Sequence, residues 1–270
     1  RPYGLLVHTP SRRVVDIYLA EPGTLRAVTG DLLVADTPKG ELVLAFSAWH
    51  TLMGILPEGA RVALQFEDTP VPGEVGEYWV SDDAEHGDAL VLIVRQGRFV
   101  LAYGSTAEEA ENRAETNLMR DVQKVVEDRL AFYQKVPRLL FPAKDRLLKK
   151  CASVMKVNTL SAEGEMNQTW STPDRVPHQH MWLWDSVFHT FAMNHIQPRL
   201  AWDHLKSVLE FQRPDGMIPH MMQANGRTSA ITQPPILAWG VWENYQKLKD
   251  KSALEYALPR LERYLEWDLT

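Results

Sequence analysis

The hydrophobic period of this chain changes once, near residue 104, and that change constrains its fold more than any other feature of its 270 residues. Before it, short β-rich runs at residues 5–9, 14–19, 41–47, 61–66, 89–95 and 98–102 alternate with turns of Gly, Pro and Asp. Successive side chains of a strand face opposite sides, so a series of short strands joined by turns predicts an antiparallel β-sandwich over 1–104. From Thr106 onward the period is helical. Ala110, Ala114, Leu118, Val122, Val125 and Leu130 stripe one long, charged helix before Pro137, read as a linker over 105–138. Further helices are expected near 144–157, 182–194, 199–211, 235–248 and 252–267, within a helical region over 139–270. The fold class is therefore a multidomain β + α chain.

Composition removes several function classes. With 45% hydrophobic residues the chain can bury one large core or two modest ones. A formal charge of -6, with both signs interspersed, leaves no footprint for nucleic acid or an anionic membrane surface. No apolar run approaches the roughly 20 residues of a membrane span. The single cysteine, Cys151, excludes an internal disulfide and a thiolate-rich zinc site. It shares an apolar helical stripe with Leu147, Leu148 and Met155, which predicts a buried, inert thiol. The chain begins Arg-Pro-Tyr, without initiator methionine or signal peptide, and stops as a helical pattern closes. A piece of a longer, cytoplasmic protein is expected.

Chemistry concentrates in residues 172–189, Thr-Pro-Asp-Arg-Val-Pro-His-Gln-His-Met-Trp-Leu-Trp-Asp-Ser-Val-Phe-His. Trp182 and Trp184 flank the carboxylate of Asp185, and His178, His180, His189 and Arg175 crowd the same segment. Indole faces stack on the apolar face of a sugar, a carboxylate accepts from two neighbouring hydroxyls, and imidazoles add donors. The combination reads as a carbohydrate subsite. The competing arrangement puts Trp182, Trp184 and Phe188 on the buried face of a helix, with Asp185 as its cap. Asp185 stands inside the aromatic run rather than before it, where an unpaired carboxylate would be costly to bury. Two loops add polar groups. Residues 212–220, Gln-Arg-Pro-Asp-Gly-Met-Ile-Pro-His, break a helix and end on His220, and residues 231–235, Ile-Thr-Gln-Pro-Pro, set Gln233 just before another helix. Taken singly, a cap for His220 and local backbone bonding for Gln233 are the simpler roles.

Over about residues 158–267 these three ordered motifs resemble glycoside hydrolase family 63 and its relatives, which include bacterial mannosylglycerate hydrolases and processing α-glucosidases. The resemblance implies a catalytic toroid of six helical hairpins, (α/α)6, often preceded by a β-sandwich, and hydrolysis of α-glycosidic bonds with inversion. It implies that Asp185 holds sugar hydroxyls, that Trp182 and Trp184 shape the wall, and that His220 and Gln233 hydrogen-bond the substrate. Arg175, His178 and Gln179 would support the pocket entrance. No cofactor and no metal are implied, and the partner is a saccharide substrate.

The chain departs from the family in one respect. The family's general acid is an aspartate in a Ser-Gly-(aromatic or Met)-Asp-(Asn or Phe)-Ser type segment, followed much later by a glutamate that activates water. Neither motif occurs here. Inversion needs two carboxylates roughly 6.5–9.5 Å apart, so no catalytic residue is identified in this chain and the pair is expected beyond Thr270. The first part of the toroid would then meet the C-terminal remainder of the same protein as a partner. Only residues 221–232 separate His220 from Gln233, a stretch longer in mannosylglycerate-type members. Less room for a lid over a small charged aglycone favours a neutral α-glucoside or α-mannoside. The alternatives are a non-catalytic carbohydrate-binding or regulatory module and a metal-dependent hydrolase using His178, His180 and His189.

Overall fold

A computed structural model describes residues 4–8, 14–18, 23–58, 77–83, 87–174 and 177–270. It divides into two compact units, 1–132 and 133–270. Among the described residues the first holds nine strands: β1 (Gly4–His8), β2 (Val14–Tyr18), β3 (Thr24–Val28), β4 (Leu32–Thr37), β5 (Gly40–Ala48), β6 (Thr51–Ile55), β7 (Tyr78–Asp83), β8 (Asp88–Arg95) and β9 (Arg98–Gly104). Strands β1 and β2 pair as a separate antiparallel hairpin. The other seven form one antiparallel sheet in the order β3-β4-β5-β6-β9-β8-β7. Tight turns fix its register: β8 and β9 are joined by Gln96 and Gly97, both at positive φ, which matches the right-handed twist of the strands they connect. The expected strand over 61–66 lies outside the described residues.

The sheet is buried on both faces. One face packs Leu33, Leu42, Leu44, Leu52, Leu90, Leu92, Phe99 and Leu101 together, and the other holds Leu32, Val34, Val43, Met53, Val91, Ile93 and Val100. The second face is covered by helices α1 (Ala107–Leu118) and α2 (Val122–Gln134), through Ala110, Ala114, Leu118, Val122 and Val125. The single long helix expected over 105–138 is thus two helices. Thr106 caps the first, its hydroxyl accepting from Glu109 N–H, while the Glu109 carboxylate accepts from Ser105 N–H at 2.8 Å. At the far end the Arg98 guanidinium donates to Leu118 O at 3.2 Å, taking a carbonyl the next turn would have used. Asp121 then starts the second helix by accepting from Gln123 N–H at 2.9 Å.

The second unit carries α3 (Pro142–Val157), α4 (Leu183–Met193), α5 (Pro198–Glu210), α6 (Leu237–Leu248) and α7 (Lys251–Asp268), with four two-residue strands, β10 (Thr159–Leu160), β11 (Trp170–Ser171), β12 (Met181–Trp182) and β13 (Met221–Met222). Short connections make α4–α5 and α6–α7 helical hairpins. The core between them is built from Leu183, Val187, Leu205, Val208, Ile218, Leu237, Val241, Ala257 and Tyr264. Gly240 lets α6 approach closely, because a Cβ there would meet Val187 Cγ1 at 2.9 Å and Leu205 Cδ2 at 3.1 Å. Cys151 corrects an expectation: it is exposed. The buried side of α3 is carried by Ala152 and Ser153, and Leu147, on the stripe shared with the thiol, is 63% exposed. No helix among the described residues is long and apolar enough to cross a membrane.

Candidate functional site

The start of α4 is held from three sides. β12 pairs with β13, Trp182 opposite Met221, and Leu183 N–H donates to His220 O at 3.0 Å. Trp182 occupies the N-cap position in extended backbone and offers no side-chain acceptor. The missing cap comes from 49 residues away: Gln233 Oε1 accepts from Trp184 N–H at 2.9 Å. The next carbonyl along, Pro234 O, accepts from the Trp184 indole Nε1–H at 3.1 Å. Because a backbone N–H can only donate, the Gln233 carbonyl end is fixed toward Trp184 and its amide NH2 faces the other way.

That loop is itself anchored from the core. Tyr264 on α7, 1% exposed, donates to Gln233 O at 2.8 Å and lies 2.5 Å from Thr232 Oγ1, whose hydroxyl donates to Ile218 O at 2.6 Å. Sequence reasoning did not single out Tyr264. Its position on an apolar stripe makes it look like ordinary core, and only a tyrosine's habit of finding a partner for its hydroxyl hints otherwise.

Around Trp182 stand two imidazoles, His220 with its centroid 5.2 Å away and His178 at 5.8 Å, both near edge-on. His220 Nδ1 lies 3.3 Å from Ile231 O, which can only accept, so Nδ1 is the donor in that contact and Nε2 is left for another partner. His178 is steadied by Asp174, whose carboxylate accepts from its backbone N–H at 2.9 Å and lies 3.0 Å from Nδ1. Gln179, the next residue, is partly buried. Arg175 lies outside the described residues.

Asp185 stands in the first turn of α4, partly buried. Among the described residues its carboxylate has neither hydrogen-bond nor ion-pair partner, and the helix N-terminus favours its negative charge. The buried face of α4 is Leu183, Ser186, Val187, Thr190 and Met193, whereas Trp184 is 37% and Phe188 50% exposed. The arrangement with both indoles and Phe188 inside the core is therefore not the one adopted. One turn after Asp185, His189 Nδ1 lies 3.0 Å from Ser171 Oγ. Burial holds the His189 imidazole below the usual histidine range, partly opposed by the Asp185 charge. Behind it on α5, His204 is 1% exposed with neither ring nitrogen bonded, and burial pushes it down to about 3, with help from His189. Among the described residues no three His, Cys, Asp or Glu side chains converge as metal ligands; of His178, His180 and His189, the first lies against Asp174 and the last against Ser171.

Comparison with known proteins falls on this same region. Residues 178–269 match the Mannosylglycerate hydrolase MGH1-like glycoside hydrolase domain. Mannosylglycerate hydrolase of Thermus thermophilus is 30% identical over a match covering 36% of this chain and 29% of that protein. Mannosylglycerate hydrolase MGH1 of Selaginella moellendorffii is 26% identical, over 36% of this chain and 24% of its own length. A crystal structure of GH63 mannosylglycerate hydrolase from Thermus thermophilus in complex with Tris is 27% identical over 44% of this chain and 32% of that one, with a TM-score of 0.39. The match thus spans less than a third of the curated relatives' own length. Residues 178–269, where the family 63 motifs lie, are thus similar to the glycoside hydrolases grouped around mannosylglycerate hydrolase.

Proposed function

We propose that this chain carries the sugar-holding part of an inverting glycoside hydrolase site whose substrate is an α-mannoside or α-glucoside. The observation that carries the reading is the Asp185 carboxylate, partly buried at a helix start and unpartnered among the described residues while the groups around it are tied down. An acceptor-only group kept free in this way suits two neighbouring hydroxyls of one sugar ring. Trp182 and Trp184 would form the wall, His220 would accept through Nε2, and Gln233 would donate through its free amide. Arg175, His178 and Gln179 would stand at the entrance. The names of the relatives favour a mannoside over a glucoside.

The acid and base of an inverting reaction we place outside these residues, since neither family motif occurs in them. On this reading the two hairpins open an (α/α)6 toroid, and the β unit belongs to the sandwich domain that often precedes it. A cytoplasmic setting suits a chain whose single cysteine is an exposed free thiol.

Titration of the chain with methyl α-D-mannopyranoside, by calorimetry or ligand-observed NMR, tests the assignment against Asp185→Ala. Charge-assisted hydrogen bonds contribute about 1.5–3 kcal/mol each, so the variant should bind at least roughly tenfold more weakly. Its unfolding midpoint should stay close to that of the wild type, because no protein bond is lost. Unchanged affinity would make Asp185 a structural residue and end the reading.

A further inference from the structure

His189 follows Asp185 by four residues on α4, a spacing that sets two helix side chains about 5–6 Å apart at Cβ. The ring is held in place. Nδ1 lies 3.0 Å from Ser171 Oγ, and Ser171, on β11, is 1% exposed. Asp185 and His189 share no hydrogen bond or ion pair among the described residues, yet the Asp185 charge acts on the imidazole. Burial keeps the imidazole neutral at pH 7, and the buried neutral His204 behind it adds no competing positive charge.

A neutral imidazole has one N–H and one bare nitrogen. If the Ser171 hydroxyl gives its proton to Nδ1, the N–H of His189 sits on Nε2, for which the described residues offer no partner. A donor-only atom and an acceptor-only carboxylate then lie one helical turn apart. The group that satisfies both at once is a hydroxyl.

We propose that His189 is a further ligand-binding residue, and that its Nε2–H and the Asp185 carboxylate grip one and the same sugar hydroxyl. The hydroxyl oxygen accepts from Nε2–H while its proton goes to the carboxylate, so every donor meets an acceptor. The inference rests on the sugar-holding reading of Asp185 and adds to it a requirement for hydroxyl at that ring carbon.

Two substitutions separate this role from a merely structural one. An asparagine amide reaches the place of Nδ1 and a glutamine amide the place of Nε2. His189→Asn therefore keeps the Ser171 contact and loses the ligand contact, and His189→Gln does the reverse. With the whole chain and methyl α-D-mannopyranoside as probe, His189→Asn should weaken binding roughly three- to tenfold, the loss of one neutral hydrogen bond. His189→Gln should stay within about twofold of the wild type, and both variants should be checked for an intact fold by thermal unfolding. Wild-type affinity in His189→Asn, or loss in His189→Gln alone, overturns the assignment. If Asp185→Ala weakens binding and His189→Asn does not, only the histidine's role falls. If Asp185→Ala binds as the wild type does, or the wild-type chain takes no sugar, the reading beneath it falls first.

Discussion

Tyr264→Phe tests the support of the site with a single atom. The tyrosine is 1% exposed, so phenylalanine fills the same space and only the hydroxyl is deleted. That hydroxyl donates to Gln233 O at 2.8 Å and approaches Thr232 Oγ1 to 2.5 Å. The single proton of the Thr232 hydroxyl has Ile218 O at 2.6 Å and Gln233 O only at 3.3 Å, so the deletion takes from the Gln233 carbonyl its close donor. A neutral hydrogen bond contributes about 0.5–1.5 kcal/mol net, and an acceptor left unpaired in the interior costs about 1–3 kcal/mol. Since ring burial is untouched, the total should fall at about 1–3 kcal/mol. Urea unfolding followed by tryptophan fluorescence is the assay, with an unchanged slope and a shifted midpoint expected. Of the nine tryptophans only Trp49 and Trp79 lie in the β unit, so the signal reports chiefly on the helices. Sugar affinity should fall with stability, because the released loop carries both acceptors that hold Trp184. A shift below about 0.5 kcal/mol, less than one neutral hydrogen bond, would mean that the 231–235 loop is held by something other than Tyr264.

Two further outcomes are expected. In the unfolded chain His204 charges below about pH 6.5, but in the fold it stays neutral down to about 3, so its share of stability is intact at neutral pH and drains away as pH falls between those limits. His204→Leu should be neutral or stabilising at pH 7 and should remove a pH-dependent loss on the order of 2–3 kcal/mol at about pH 4.5; parallel stability curves for the two proteins would show that the imidazole charges normally. Gly240→Ala gains roughly 1 kcal/mol of helix propensity, yet its methyl would sit 2.9 Å from Val187 Cγ1, so a net loss of about 1–2 kcal/mol is expected by calorimetry, and a stabilised variant would show that α4 and α6 can part at no cost.

Much of this architecture is visible in the sequence, and its gaps have physical causes. Strands β5, β8 and β9 and all five helices of the second unit fall within a few residues of their expected places. Strand β4 is not visible there because Leu-Leu-Val-Ala is buried on both faces and therefore never alternates. Strand β7 escapes for the opposite reason, carrying Ser-Asp-Asp at the sheet edge where polarity is tolerated. The break between α1 and α2 is hidden because Ala110, Ala114, Leu118, Val122 and Val125 all serve one sheet face, so the stripe runs on while the backbone stops. Cys151 shows the converse, an apolar stripe that is not buried. In the site, the Trp-Leu-Trp-Asp cluster can be read because its members adjoin in sequence. The Gln233 cap and the Tyr264 anchor cannot, since each acts on a partner tens of residues away that periodicity does not reveal.

The cap that α4 borrows from Gln233 makes the pocket impossible to transplant as a linear motif. A peptide spanning residues 172–193 would contain both site indoles and the carboxylate, yet it would lack the acceptor that stops the helix from fraying at Trp184 and the carbonyl that orients the indole. Grafting the site onto another scaffold therefore requires at least three separated pieces: the helix start, the 218–234 loop and the tyrosine of the last helix. By the same dependence a circular permutation cut between α6 and α7 would leave the sugar-facing residues in place but make their alignment wait on the docking of the relocated helix.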